Sequence, residues 1–350
     1  MNAVNINQVH LSKLIKKRVV FMQLILLIIG LVLILKSADI LIDSSAKIAR
    51  KYGISSFIIG ITVVAFGTSA PELVVGILSG IRGTNQLTLG NVIGSSLSNL
   101  ALIAGLSSMI LALIIKDSLV KKELPMLLLS EIILLIMMLS SNTMKRFYGI
   151  LLLCGFIMFM LYVILDAKKS IPATFDIDGD LDTDNDGNGL NNEIIQKKEK
   201  SLFLLYILTF LSLGGLIIGG KLTVDSSTLI ASRFGLSQTL IGITIVSLAT
   251  TMPELVTSIM AVIKKEPDIV IGNCIGSNLF NILFVLGVST TISPISIEKS
   301  LWIDLVITII LTIYIFIVSV LRKKINRLDG ILLFITYLCF MTYKIITVIF

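Results

Sequence analysis

One stretch of this chain occurs twice. Residues 53–77 read GISSFIIGITVVAFGTSAPELVVGI, and residues 235–259 read GLSQTLIGITIVSLATTMPELVTSI. The offset is 182 residues and needs no gap. LGNVIGSSLSNL at 89–100 faces IGNCIGSNLFNI at 271–282, and Asp43-Ser44-Ser45 faces Asp225-Ser226-Ser227. Of the 60 positions in 51–110, 24 are identical to their partners, and more than half of those are Gly, Pro, Glu, Asn, Ser or Thr. Apolar segments that match by chance share Leu, Ile and Val, so this pattern marks a duplicated unit.

The duplication lies in a chain whose solvent is lipid. Apolar residues make up 55% and charged residues only 15%, against about 25% charged in a typical soluble domain. Runs of bilayer length fall near 19–42, 54–80, 87–115, 124–141 and 147–166, and again near 202–220, 236–263, 268–293, 300–321 and 328–349. Five runs separate one copy from the next. Five is odd, so the second copy crosses the membrane in the opposite sense, a construction typical of secondary transporters. The expectation is an all-α integral membrane protein of ten transmembrane helices in two inverted five-helix repeats. A tail at 1–18 precedes the first repeat at 19–166, an acidic loop spans 167–200, and the second repeat occupies 201–350. The basic stretch Lys13–Arg18 and the apolar run after it have the outline of a signal peptide. That run has a counterpart in the second half, which argues against cleavage.

Several function classes drop out. The net charge is +7, from 29 Lys and Arg against 22 Asp and Glu. The basic residues lie mostly between apolar runs, where they set topology, so no nucleic-acid partner is expected. Lys and Arg are more abundant in the connections after spans 1, 3, 5, 7 and 9. This places both termini outside the cell membrane and the 167–200 loop in the cytoplasm. Cys154, Cys274 and Cys339 all lie in apolar runs and give no disulfide framework. His10 is the sole histidine, which excludes a His-based metal centre or catalytic triad.

The chemistry concentrates on two carboxylates. Glu72 and Glu254 sit mid-span at equivalent positions, where an ionisable side chain costs roughly 2.5–3.5 kcal/mol on insertion scales. Each follows a proline, Pro71 or Pro253, which has no N–H for the carbonyl four residues earlier. That frees the carbonyls of Gly67 and Ala249. Thr68 and Thr250 lie four residues before the glutamates, so each Thr shares a helix face with its Glu. Ser95 and Asn99 are four apart, as are Ser277 and Asn281. Gly90, Gly94, Gly272 and Gly276 permit close helix approach or local unwinding. Carbonyls, hydroxyls and carboxylates are the hard oxygen ligands that suit Ca²⁺ and Na⁺.

At these residues the chain resembles the cation/Ca²⁺ antiporter superfamily, specifically prokaryotic Na⁺/Ca²⁺ exchangers. GTSAPEL at 67–73 and ATTMPEL at 249–255 are similar to that family's two α-repeats, as are GNVIGSSLSN at 90–99 and GNCIGSNLFN at 272–281. The resemblance implies the Na⁺/Ca²⁺ exchanger fold, with the first and sixth helices sliding across a central core. It implies no resident cofactor, with Ca²⁺ and Na⁺ as substrates and the lipid bilayer as surroundings. By this resemblance Glu72 and Glu254 are the central cation ligands. Thr68 and Thr250 ligate through carbonyl or hydroxyl, Ala65 and Ser247 through backbone carbonyls, and Ser95 and Ser277 as Na⁺ ligands. Asn99 faces the centre. Asn281 departs from the family, many of whose members carry Asp there; Ser96 in place of Asn and Ala249 in place of Gly are milder departures.

Residues 176–193 read DIDGDLDTDNDGNGLNNE and hold seven of the 22 acids. The frame Asp182, Asp184, Asp186, Gly187, Asn188 and Glu193 fits an EF-hand-type Ca²⁺ loop, with Gly at position six and Glu at twelve. Gly189 stands where a branched apolar residue is usual. No catalytic set accompanies the spans, so a transporter is expected rather than a membrane enzyme. A cation channel, K⁺-dependent exchange and H⁺/Ca²⁺ exchange remain open as alternatives.

Overall fold

The computed structural model describes residues 3–82, 86–170, 190–233, 247–298 and 300–349. Helix α1 (Ala3–Lys51) leads into α2 (Ser56–Thr68) and α3 (Ala70–Arg82). Helix α4 (86–110) is followed by α5 (Asp117–Lys121), α6 (Glu123–Ser140) and α7 (Arg146–Ser170). The second half holds α8 (Leu190–Arg233), α9 (Ser247–Thr250), α10 (Met252–Ile263), α11 (Pro267–Ile292), α12 (Ser300–Arg322) and α13 (Arg327–Ile349). Among the described residues, eight helices are long and apolar enough to cross a membrane, and the bent pair α2–α3 makes a ninth. The expected seventh span begins in residues outside the described set and continues as α9 and α10. Side chains such as Phe21, Ile28, Phe210 and Leu211 are exposed, as a surface covered by lipid requires.

Two helices run into the segments expected to flank the repeats. Helix α1 begins at Ala3, inside the expected tail. Helix α8 begins at Leu190, so the last part of the expected 167–200 loop is helical. Helix propensity continues through Gln196, Lys197, Lys198, Glu199 and Lys200, none of which breaks a helix.

The centre is built by the repeated segments. Among the eight unbroken spans described, helices α4 and α11 are the most enclosed, with 78% and 94% of their most apolar stretches buried. Glycines let α11 lie directly on α2: a Cβ on Gly272 would come within 2.6 Å of the Phe57 carbonyl, and one on Gly276 within 2.7 Å of the Ile61 backbone. Around this core, α1 and α8 pack along each other. They cross at Gly30 and Gly219, where a Cβ on either would meet the other's carbonyl at about 3 Å. At one end of α10, Lys264 bridges Asp39 and Asp43 of α1 at 2.6 and 2.7 Å. Burial pulls the Lys264 pKa down, but the two carboxylates outweigh it and hold it above the usual lysine value.

Among the described residues, four two-residue strands add a feature that the hydropathy pattern does not contain. Strand β1 (Leu113–Ile114) pairs antiparallel with β4 (Lys324–Ile325), and β2 (Thr143–Met144) with β3 (Ile295–Ser296). The 182-residue offset carries β1 onto β3 and β2 onto 325–326, which overlaps β4 by one residue, so it exchanges the two ladders. One ladder follows the third span and the other the fourth. They therefore clip the two repeats together at opposite ends of the bundle.

Candidate cation site

The prolines shape the site locally. Helix α2 stops at Thr68 and α3 starts at Ala70, with a 43° bend between them. The intervening Ser69 has φ −82° and ψ 4°. In the other repeat Thr251 has φ −81° and ψ −6°, so both chains break at the same step in nearly the same conformation. Each break lies two residues before its proline, which cannot donate into the preceding turn. The ladder resumes at once, with Leu73 N donating to Ser69 O and Leu255 N to Thr251 O. Glu72 and Glu254 therefore stand in the first turn of a new half-helix, where unpaired N–H groups favour negative charge.

Both carboxylates are enclosed, with 0% and 1% exposure. Ser95 Oγ donates to Glu72 Oε1 at 3.3 Å, and Ser69 Oγ donates to Glu254 Oε1 at 3.3 Å. The second oxygen of each, Oε2, is buried without a hydrogen-bond partner. The two groups are near enough to repel each other. A buried carboxylate oxygen with no donor is costly by itself and is a ready ligand for a cation.

The threonine hydroxyls find acceptors on the opposite repeat. Thr250 lies beside Glu72 and Thr68 beside Glu254, so each threonine stands near the carboxylate of the other repeat. The breaks at Ser69 and Thr251 interrupt the helix face that spacing of four would otherwise give. Thr68 Oγ1 donates to Asn273 Oδ1 at 3.1 Å, and Thr250 Oγ1 to Asn91 Oδ1 at 3.2 Å. Ser277 joins the same network, 3.4 Å from Thr68 Oγ1. The Ala65 carbonyl accepts from Ser69 N at 3.0 Å and from Thr68 Oγ1 at 3.3 Å. Ser247 supplies helical backbone at the start of α9.

The amides fall on π turns. Asn99 opens the π turn Asn99–Ile103, and Asn281 lies in the π turn Phe280–Val285, its counterpart. Such turns are frequent at functional sites. Asn99 Nδ2 donates to Asn278 Oδ1 at 2.9 Å, and Asn278 Nδ2 donates to the Ser96 carbonyl at 3.2 Å. Asn281 is wholly buried with neither amide atom bonded.

The structure thus buries Glu72, Glu254, Thr68, Thr250, Ser95 and Ser277 together, with Asn99 and Asn281 buried on the same two helices as the serines. Sequence reading passed over Asn91, Asn273, Ser69 and Asn278. For Asn91 and Asn273 the signal was present, since both belong to the duplicated GN dipeptide. It also passed over Glu131 on α6, which is fully buried and accepts from Thr312 Oγ1 at 2.9 Å. Glu131 has no counterpart, because Ile313 stands at the equivalent position. Of the acidic frame, Asp182, Asp184, Asp186 and Asn188 lie outside the described residues, and only the backbone of Glu193, within α8, is described. Among the described residues no cluster holds three or more His, Cys, Asp or Glu. The central site therefore joins two carboxylates to neutral oxygens.

Residues 22–165 and 204–346 match the sodium/calcium exchanger protein family. The chain belongs to that family. It is 33% identical to the putative antiporter CaxA of Alkalimonas amylolytica, over 90% of this chain and 96% of that one. It is 28% identical to the sodium/calcium exchanger MaX1 of Methanosarcina acetivorans, over 91% and 97% of the two chains. Its fold superposes on the sodium-calcium exchanger NCX_Mj soaked with Na⁺ and Sr²⁺ with a TM-score of 0.76, at 27% identity, covering 91% of this chain and 98% of the other. This family member is a multi-pass membrane protein of the exchanger fold, and the two matched segments are its two repeats.

Proposed function

We propose that this chain exchanges Na⁺ for Ca²⁺ across the membrane at the site between Glu72 and Glu254. The observation that carries this reading is the pair of buried, partnerless carboxylate oxygens, one from each repeat, with a serine hydroxyl donating to the other oxygen of each carboxylate. Two carboxylates balance one Ca²⁺, and they equally balance two Na⁺. Without an ion they are two like charges at low dielectric, which opposes crossing unloaded. Exchange rather than leak follows from that arithmetic. Ala65, Thr68, Ser95, Asn99, Ser247, Thr250, Ser277 and Asn281 supply the remaining oxygens.

Alternating access would come from α1 and α8 sliding over the core, consistent with their crossing at Gly30 and Gly219. Both termini would lie outside, and the segment between the repeats in the cytoplasm. There the frame Asp182, Asp184, Asp186, Asn188 and Glu193 would bind Ca²⁺ as a regulator. Deleting 176–193 should then shift the Ca²⁺ dependence of transport measured from that side.

The deciding experiment loads vesicles with Na⁺ and follows ⁴⁵Ca²⁺ uptake. Uptake should follow the Na⁺ gradient and reverse when the gradient is reversed. Flux that ignores Na⁺ would make the chain a channel, and flux driven by K⁺ or pH would change the coupling ion.

A further inference from the structure

We propose that Asn91 and Asn273 are positioning residues that draw the hydroxyl protons of the site threonines away from the cation. The proposal rests on the site reading above and adds what holds its neutral ligands in a ligating orientation. A hydroxyl carries one proton and two lone pairs. It can ligate a cation only when the lone pairs face the ion and the proton points elsewhere. The proton therefore needs an acceptor that lies off the ion path, and each repeat provides one to the other.

Asn273 is buried to 0% exposure, and the direction of its amide is set. Its Nδ2 donates to Ser258 Oγ at 3.1 Å, which leaves Oδ1 as the end facing the site. Thr68 Oγ1 is 3.1 Å from that Oδ1, nearer than the Ala65 carbonyl at 3.3 Å or Ser277 Oγ at 3.4 Å. Ser277 Oγ donates to the same Oδ1 at 3.4 Å. One amide oxygen, with its two lone pairs, thus collects the protons of two hydroxyls. In the other repeat Asn91 Oδ1 takes the proton of Thr250 at 3.2 Å. Asn91 and Asn273 are separated by the repeat offset, and each serves a threonine of the opposite repeat. The same threonines stand beside Glu254 and Glu72. A cation on the carboxylates competes for those oxygens, while the asparagine oxygens stay available.

The test is a double-mutant cycle on N91L, T250V and the double variant, read as the KM and maximal rate of Na⁺-dependent Ca²⁺ uptake in vesicles. N91L should raise the KM for Ca²⁺ about tenfold, the order of one hydrogen bond at a charged site, with the maximal rate held within about twofold. In the T250V background N91L should add nothing, because the proton it anchors is gone. N91L combined with T68V should instead multiply the two single effects. If the Asn91 variants fail to insert, N273L in a T68V/S277A background asks the same question of the other repeat. An N91L variant with unchanged KM, or effects that multiply in the T250V background, overturns the proposal. E72Q in the same assay separates the two levels. If E72Q transports normally the site reading falls. If E72Q and T250V are impaired while N91L is not, only the positioning role falls.

Discussion

The two halves of the centre are built alike at the carboxylates and differently at the amides. Glu72 and Glu254 share burial, a preceding proline, a broken helix and one hydroxyl donor to Oε1. Asn99 and Asn281 share a π turn and little else. Asn99 is tied to Asn278 of the opposite repeat, whereas Asn281 has no partner for either amide atom. The counterpart of Asn278 is Ser96, whose Oγ is also buried without a partner. A serine is too short to make the bridge that an asparagine makes. The site therefore pairs a fixed amide with a free one, and the departure at Ser96 and the departure at Asn281 become two parts of one change.

The largest test of the comparison lies in what the halves share. E72Q and E254Q should each lower Na⁺-dependent ⁴⁵Ca²⁺ uptake by roughly 100-fold or more, since losing one charge from a buried ionic set costs about 3–5 kcal/mol. Retained uptake in one of them would make the carboxylates unequal. Next comes N278A, which unties Asn99 and frees the Ser96 carbonyl. It should weaken apparent Ca²⁺ affinity about tenfold and lower the melting temperature, at about 1–3 kcal/mol for stranded buried groups. N281D breaks no existing hydrogen bond and adds a third carboxylate. Apparent Ca²⁺ affinity should rise several-fold, read from uptake at graded Ca²⁺. S96A should be the mildest. Its hydroxyl bonds nothing in the structure, so KM and stability should stay within about twofold and about 0.5 kcal/mol of the parent. A large effect there would mean that Ser96 holds Asn281 after all.

Much of the fold was legible because lipid simplifies the code. Bilayer-length apolar runs locate helices, since a spanning segment must satisfy its own backbone. The boundaries at Ala3 and Leu190 were not legible, because a polar helical extension leaves no mark in hydropathy. The ladders at 113–114 and 143–144 were hidden for another reason. Two residues carry no period, and their partners at 324–325 and 295–296 lie in the other repeat. Glu131 was overlooked because it lacks a repeat counterpart, and duplication was the main guide to function.

By itself the sequence determined the inventory and the symmetry: two copies, an odd number of spans between them, and one carboxylate, one threonine, one serine and one amide from each. Those follow from identity at a fixed offset and need no coordinates. Only the tertiary structure decided who serves whom. Thr68 faces Glu254 and Asn273, Thr250 faces Glu72 and Asn91, and Asn99 bonds Asn278 while Asn281 bonds nothing. The broken helices at Ser69 and Thr251 interrupt the local i,i+4 relation. Partners are then set by how two inverted copies pack against each other, a relation between residues more than 150 positions apart that no local spacing encodes.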